Sequence, residues 1–341
     1  MLELRDIVKY FNKGTPSETI AINHLNLQIT PGEFITVIGG NGAGKSTLLN
    51  IIAGSIEADS GLLLLNDNDV SFMSEHKRAP YFGRVFQDPM SGTCADMSIL
   101  ENLTIAYGRG RARTIFRWFI QRKNKEYFIE QLKSLDLGLE NRLSDKVGLL
   151  SGGQRQALTL LMATMRQMPS ERVIKRDYVK FCETDKSKAK EEVEKAFKAA
   201  KAERKAALSE MSGKDLDKAQ KLEEKGRIKF EYEQKIAKFD LTKQILLLDE
   251  HTAALDPKTA QKVLDLTEKI VTENQMTTIM ITHNMKDAIR YGNRLIMMSH
   301  GKVVVDISGE EKKKLTVKQL LDMFQVASKD DAMSDSAILG D

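Results

Sequence analysis

The chain has 341 residues, of which 41% are hydrophobic, and its 52 basic and 48 acidic residues leave a formal net charge of +4. This length suits two domains, or one domain with a substantial insertion, and the composition is that of an ordinary globular protein. The balance of charges gives no reason to expect nucleic-acid binding. No run of about 18 apolar residues occurs, so the sequence predicts no membrane span.

The first residues of the chain and its two cysteines bear on secretion, disulfide bonding and zinc binding. Residues 1–6 are already charged, and no apolar stretch follows a basic flank, so we expect no secretory signal and a cytoplasmic location. Cys94 and Cys182 lie far apart, without His or Cys at metal-ligand spacing. We therefore expect neither a disulfide framework nor a zinc site.

Two kinds of strand are predicted near the beginning of the chain. Apolar and polar residues alternate in residues 2–8 and 25–29, which predicts a half-exposed antiparallel sheet. Residues 34–38 are continuously apolar, as in a buried strand, and residues 47–52 continue as a helix.

A glycine-rich segment, GGNGAGKS at residues 39–46, joins that buried strand to the helix. Its glycines let backbone N–H groups close on a polyphosphate, while Lys45 reaches the terminal phosphates and Ser46 is placed to hold Mg²⁺. Strand, loop and helix in this order are the context that the motif requires. The segment predicts a nucleoside triphosphate site.

Residues 90–168 have a helical pattern, with an amphipathic stretch at 127–137. They include the pentapeptide LSGGQ at 150–154, which starts a helix whose N-terminus can meet another phosphate. Residues 109–125 mix Arg and Lys with aromatic side chains. Two interpretations of that stretch stay open: a solvated basic helix face, or a surface close to lipid headgroups or a membrane protein.

Residues 169–241 are rich in Lys, Glu and Ala and predict an antiparallel helical hairpin, with helices at 185–211 and 214–239 and a break at 212–213. The residues expected to face one another are Val193, Phe197, Ala200, Ala207, Leu208 and Met211 on the first helix, and Leu216, Ala219, Phe230 and Ala237 on the second. Many other positions at the interface between the two helices are Ala, Gly226 or charged, so we expect weak packing between the helices and a mobile tip of the hairpin. The polar residues 326–341 predict a flexible tail.

The apolar runs at 245–248, 277–281 and 295–298 are separated by amphipathic helical stretches. They predict a parallel sheet buried on both faces, and hence an α/β core. Asp249 ends the first run, at the carboxyl edge of the sheet, where it can hold Mg²⁺ through water beside Ser46. The next residue, Glu250, is expected to polarise the attacking water as the general base.

Taken together, the segments at 39–46, 150–154 and 245–250 resemble those of ATP-binding-cassette (ABC) ATPases, and the resemblance extends over roughly residues 1–167 and 243–324. It implies a P-loop ABC ATPase core with an antiparallel β subdomain, a helical subdomain and, in this chain, an inserted helical hairpin. The expected divisions are an ATP-binding core with the β subdomain (1–88), a helical subdomain carrying the signature (89–168), the hairpin (169–241), the second part of the core (242–325) and the tail (326–341).

The resemblance also implies an arrangement of site residues. Two nucleotide-binding domains would form a homodimer that sandwiches two ATP molecules, so that each ATP touches both chains. One chain would bind ATP through Gly39, Asn41, Gly42, Gly44, Lys45, Ser46 and Thr47, and its partner would close on the γ-phosphate with the signature, Ser151, Gly152, Gly153 and Gln154.

Four further residues match positions of the family. His283 resembles the switch histidine that contacts the γ-phosphate, and Gln87 resembles the loop glutamine that senses Mg²⁺ and the attacking water. Asp256 matches a loop that crosses the dimer interface. Phe11, or its neighbour Tyr10, matches the aromatic residue that stacks on adenine.

The sequence of residues 95–103 and 150–166 resembles that of bacterial importer ATPases that accompany a lipoprotein-type binding protein and a small permease. Some of these ATPases are linked to aromatic amino acids. This implies a peripheral subunit on the cytoplasmic face of the membrane that powers import of a small solute, with an amino acid among the candidates. The alternative is a cytosolic ABC ATPase of mechanical or DNA-repair type with the hairpin as a partner arm. In those ATPases, however, a much longer coil precedes the signature.

Overall fold

A computed structural model describes residues 1–108, 124–165, 174–175, 178–179, 186–213, 217–237, 245–324 and 326. The chain divides into two compact units, one made of Met1–Leu65, Asp69–Arg166 and Gln244–Asp341, the other of Asn66–Asn68 and Gln167–Lys243. Within the described ranges, no helix combines the length and apolar character needed to cross a bilayer.

The elements are as follows. The strands are β1 (Leu2–Phe11), β2 (Thr19–Ile29), β3 (Phe34–Gly39), β4 (Ser60–Leu65), β5 (Asn68–Asp69), β6 (Phe82–Val85), β7 (Ile245–Asp249), β8 (Thr277–Ile281), β9 (Arg294–Ser299) and β10 (Lys302–Ser308). The helices are α1 (Lys45–Ala53), α2 (Glu75–Arg78), α3 (Ile99–Tyr107), α4 (Lys125–Lys133), α5 (Gly152–Thr164), α6 (Lys186–Ser212), α7 (Lys218–Ala237), α8 (Pro257–Glu273), α9 (Met285–Arg290) and α10 (Gly309–Lys314).

The described strands form two sheets, and all of their residues except Asn68 belong to the first unit. In the smaller sheet, of order β2-β1-β4-β5, strand β1 pairs antiparallel with both β2 and β4. The larger sheet has the order β10-β9-β3-β8-β7-β6, in which only the edge strand β10 runs antiparallel to its neighbour. The parallel strands therefore end at one edge of this sheet, which carries the glycine-rich loop after β3 and Asp249 at the end of β7.

The larger sheet is buried on both faces, as the continuous apolar runs predict. Along β7, Leu246 and Leu248 pack into a core shared with α3, α4 and α5. The alternate residues, Ile245 and Leu247, pack into a second core with the smaller sheet and α1. This packing fixes the position of the sheet edge where the candidate site lies.

The second unit contains the paired helices α6 and α7. Val193, Phe197 and Ala200 of α6 are buried in a small cluster with Ile236 of α7, and Met211 is buried as well, whereas Ala207 and Leu208 are half-buried. Helix α6 runs through Ser212, so the break lies one residue later than the sequence predicts. The side chains of Leu216, Ala219, Phe230 and Ala237, like residues 109–123 and 327–341, lie outside what the structure describes.

Candidate nucleotide site

The loop between β3 and α1 is held in a conformation that requires glycine. Gly39 and Gly44 have φ angles of 155° and 94°. A Cβ atom on Gly39 would lie 2.3 Å from the carbonyl oxygen of Met298, and one on Gly44 would lie 2.3 Å from that of Ala21. Any other residue at either position would push the loop away from the sheet.

Lys45 folds back over this loop. Its Nζ donates hydrogen bonds of 2.9 Å to the carbonyl oxygens of both Gly39 and Gly40. Burial lowers the pKa of Lys45, while the nearby charges of Glu250 and Asp249 raise it. The ammonium group therefore already lies at the loop, beside the acidic residues, as a phosphate-binding lysine requires.

Ser46 and Asp249 meet at the edge of the sheet. The hydroxyl of Ser46 donates to Oδ1 of Asp249 at 3.3 Å, and the other carboxylate oxygen, Oδ2, lies 3.9 Å from a guanidinium nitrogen of Arg84. Burial raises the pKa of Asp249, and the charge of Arg84 acts in the opposite direction.

Glu250 lies next to Asp249 and contacts His283. The Oε1 atom of Glu250 is 2.6 Å from Nε2 of His283, which follows strand β8. Glu250 has a φ of 46°, a left-handed conformation that is uncommon for a residue with a side chain. The carboxylate is mostly buried, with 14% of its side chain exposed, whereas the histidine side chain is 47% exposed.

Gln87, Phe11 and Tyr10 are further predicted residues on the loops and strands of this unit. Gln87 is exposed on the loop after β6. Phe11 ends β1 with 39% of its surface exposed, which leaves the ring accessible for stacking. Tyr10 is half-buried, and the Lys13 ammonium lies 4.9 Å from its ring centroid.

The signature residues begin helix α5 at another place in the same unit. Ser151 caps the helix by accepting from the N–H of Gln154, and the Gln154 side chain accepts from the N–H of Ser151. Gly153 packs so closely on α8 that a Cβ atom there would lie 2.2 Å from Cγ2 of Thr259.

Asp256 caps helix α8. Its Oδ1 accepts from the N–H of Thr259 at 3.1 Å, and hydrogen bonds from Thr259 lower the pKa of the carboxyl. Thr259 thus contacts both Asp256 and the signature helix, so these two predicted interface elements are packed together in one chain.

These residues fit a nucleotide and a magnesium ion. Helix α1 has no side-chain N-cap, because its N-cap residue is Gly44, so its first N–H groups can bind phosphate oxygens. The hydroxyl of Ser46 and the carboxylate of Asp249 are oxygen ligands of the kind that Mg²⁺ prefers. The structure therefore brings together Lys45, Ser46, Asp249, Glu250 and His283, five of the residues singled out from the sequence.

Two arginines that bind helix α1 were not anticipated from the sequence. Arg78 donates to the carbonyl oxygens of Ile51 and Ile52 at 2.6 Å and 3.0 Å and so caps the C-terminal end of α1. Arg84 donates to Oδ1 of Asn50 on the same helix at 2.6 Å. The alternation of apolar residues gives no signal for either arginine, because their partners on α1 are distant in sequence.

Comparison with known proteins decides the family. The sequence profile of the ABC transporter family matches residues 22–170. The tyrosine transport ATP-binding protein of Clostridioides difficile (strain R20291) is 34% identical over 328 residues, which cover 96% of this chain and 100% of that protein. The chain belongs to the ATP-binding subunits of ABC transporters. It is thus an ATP-binding ABC ATPase, as its motifs predict.

More distant members of the ABC family agree with this assignment. The phosphonates import ATP-binding protein PhnC of Lactococcus lactis subsp. cremoris (strain SK11) is 25% identical, with 94% of this chain and 97% of that protein covered. Among solved structures, the dimeric bacterial ABC transporter cassette MJ0796 matches with a TM-score of 0.57 and 22% identity, covering 90% of this chain and 98% of that one. The α/β cassette fold predicted from the sequence is confirmed, while the roles of single residues stay predictions.

Proposed function

We propose that this ABC ATPase works as a homodimer, bound to a separate membrane permease, and hydrolyses ATP to drive import of a small solute. The contact of 2.6 Å between Glu250 and His283, beside Lys45 and Asp249, carries the proposal. A carboxylate held by a histidine next to a phosphate-binding lysine suits the activation of a water molecule for phosphoryl transfer.

In this mechanism the chain's own residues have separate tasks. The loop of residues 39–47 and Lys45 bind the phosphates, and Phe11 stacks on adenine. Ser46, Asp249 and Gln87 would hold Mg²⁺, which when bound would neutralise charge on the phosphate oxygens. Glu250 takes the proton of the attacking water, and His283 keeps the carboxylate in place.

The homodimer is supported by the exposure of the signature residues. Ser151 and Gly152 are exposed at the start of α5, and Asp256 is exposed at the start of α8. In our proposal these residues meet the ATP held by the loop of the partner chain, so that neither subunit has a complete site alone.

For the solute, we propose an aromatic amino acid of the tyrosine class. The relative with 34% identity, aligned over its whole length, is named for tyrosine transport, whereas the one named for phosphonates is 25% identical. An extracytoplasmic binding protein would deliver the solute to the permease, and this subunit would lie at the cytoplasmic face of the membrane.

Steady-state ATP turnover tests the role of Glu250. We expect Glu250→Gln to lower turnover by about 100-fold or more, because the amide cannot accept the proton, while ATP binding changes only a few-fold. The matched control is Glu273→Gln, which changes an exposed carboxylate at the end of α8 and should leave turnover unchanged. Turnover near that of the wild type in Glu250→Gln would show that another group is the base.

Accumulation of labelled tyrosine by cells tests the solute. Cells whose only copy is Glu250→Gln should lose tyrosine uptake and keep uptake of unrelated solutes. If tyrosine uptake persists while ATP turnover is lost, the proposed solute is wrong and the proposed chemistry stands.

A further inference from the structure

Arg84 lies on the edge strand β6, yet only 15% of its side chain is exposed. One guanidinium nitrogen donates to Oδ1 of Asn50 at 2.6 Å, and the other donates to the hydroxyl of Ser55 at 3.1 Å. The ring of Phe86 lies 4.5 Å from the guanidinium carbon. Arg84 is thus fixed to the helix that follows the nucleotide loop, and bound ligands need not move it.

The nitrogen that bonds Asn50 is also the one that lies 3.9 Å from Oδ2 of Asp249. Only 16% of the Asp249 side chain is exposed, so its charge is poorly solvated. Its other oxygen, Oδ1, accepts from Ser46. The carboxylate therefore has a neutral donor on one side and a fixed cation on the other.

The other basic residues of the site have hydrogen-bond or ion-pair partners other than Asp249. Lys45 donates to the carbonyls of Gly39 and Gly40, and His283 contacts Glu250. Arg84 is the nearest guanidinium or ammonium partner that the described residues give to this carboxylate.

We propose that Arg84 is a resident counter-ion for Asp249, which balances the carboxylate while no divalent cation is bound and thereby weakens the binding of Mg²⁺. The inference rests on the proposed role of Asp249 in holding that ion. Two cations that share one buried carboxylate repel each other, and Arg84 is too firmly held to withdraw. The subunit thus remains stable between turnovers, and the ion is held less tightly.

A double-mutant cycle in EDTA, without nucleotide, tests the pairing in the full chain. Arg84→Met should lower Tm by roughly 5 °C, because it leaves a buried charge without its partner, and by less than half as much in an Asp249→Asn background. Arg84→Gln, which keeps a polar head without the charge, gives the same comparison if Arg84→Met does not fold. An equal loss in both backgrounds would show that Arg84 supports only the fold, and would overturn the proposal.

Arg78→Met is the matched control. Arg78 is also buried, but its hydrogen bonds go to main-chain carbonyls of Met73, Ile51, Ile52 and Ser71. Its effect on Tm should be the same in the wild-type and Asp249→Asn backgrounds.

A second arm adds ADP at fixed concentration and titrates Mg²⁺. The gain in Tm on adding the ion should be larger in Arg84→Met than in the wild type, and half of it should be reached at a lower Mg²⁺ concentration. An equal or smaller gain in the variant would overturn the proposal. If instead the wild type gains nothing from Mg²⁺ beyond ADP alone, the proposed metal site itself is wrong, whatever the EDTA cycle shows.

Discussion

Lys312 is a buried lysine whose charge is disfavoured by its surroundings. It is 2% exposed, and its Nζ donates to the carbonyl oxygens of Tyr291 and, at 2.9 Å, Gly292. Burial lowers its pKa from 10.5 to about 8, although the charge of Glu268 acts the other way. The folded protein therefore releases this proton at a lower pH than the unfolded chain does.

The consequence is a rise of stability with pH. Between about pH 8 and pH 10.5 the unfolded chain binds more protons at Lys312 than the folded protein, so the free energy of unfolding increases through this window. From pH 7 to pH 10 the gain relative to Lys312→Met should be roughly 2 kcal/mol. Urea unfolding of the wild type and of Lys312→Met measures this gain. If the free energy of unfolding changed equally with pH in both proteins across this range, the burial argument would be contradicted.

Only part of the site at the residue scale can be predicted from sequence. Lys45, Ser46, Asp249 and Glu250 are predictable because phosphate chemistry requires those side chains at fixed spacing around a strand end. The role of Arg84 cannot be predicted, because an arginine in a short strand is expected to be solvated until its partners on α1 and β7 are known. The exposed position of Gln87 likewise depends on a loop that no motif specifies.

At the scale of elements, helices α5 and α8 pack closely at Gly153. A Cβ atom on Gly153 would lie 2.2 Å from Cγ2 of Thr259, so Gly153→Ala forces either the Thr259 side chain or one of the two helices to move. We expect a Tm loss of several degrees, together with weaker ATP-dependent dimerisation, because the signature and the Asp256 cap both shift.

Two variants control this prediction. Thr259→Ser removes the methyl group that clashes, so Gly153→Ala/Thr259→Ser should recover most of the lost stability. Gly226→Ala, on α7, has open space around it and should raise stability by up to about 1 kcal/mol through helix propensity. If Thr259→Ser does not restore the stability of Gly153→Ala, the clash with the Thr259 methyl group is not the cause of the loss.

Strands and helices differ in how well the sequence predicts them. The continuous apolar runs give β3, β7, β8 and β9, since strands buried on both faces need apolar residues throughout. The short strands β4, β5 and β6 and the edge strand β10 are not specified by such runs. They are defined by pairing with distant neighbours, as β6 is with β7 and β10 with β9.

At the scale of the whole molecule, the helical hairpin forms its own compact unit. Gln167–Lys243 belongs to the second compact unit, whose buried cluster is small, with Ile174, Val193, Phe197, Ala200 and Ile236. Lys45, Ser46, Asp249, Glu250 and His283 all belong to the first unit.

Deleting the hairpin tests its independence. Replacement of residues 169–241 by a short Gly/Ser link should leave basal ATP turnover within a few-fold of the wild type, because the first unit retains the hydrophobic cores on the two faces of the larger sheet. Solute uptake through the permease is then the activity expected to fall. Loss of folded protein on deletion, judged by circular dichroism and by melting, would show that the hairpin supports the core.

The central claim is that two copies of this chain close around ATP, with Glu250 of each subunit as the base. Light scattering of Glu250→Gln during size exclusion, with and without ATP, tests this claim most directly. We predict the mass of a monomer without nucleotide and twice that mass with ATP, because closure is retained when hydrolysis is blocked. A mass that does not change with ATP, in a variant shown to bind the nucleotide, would contradict the account.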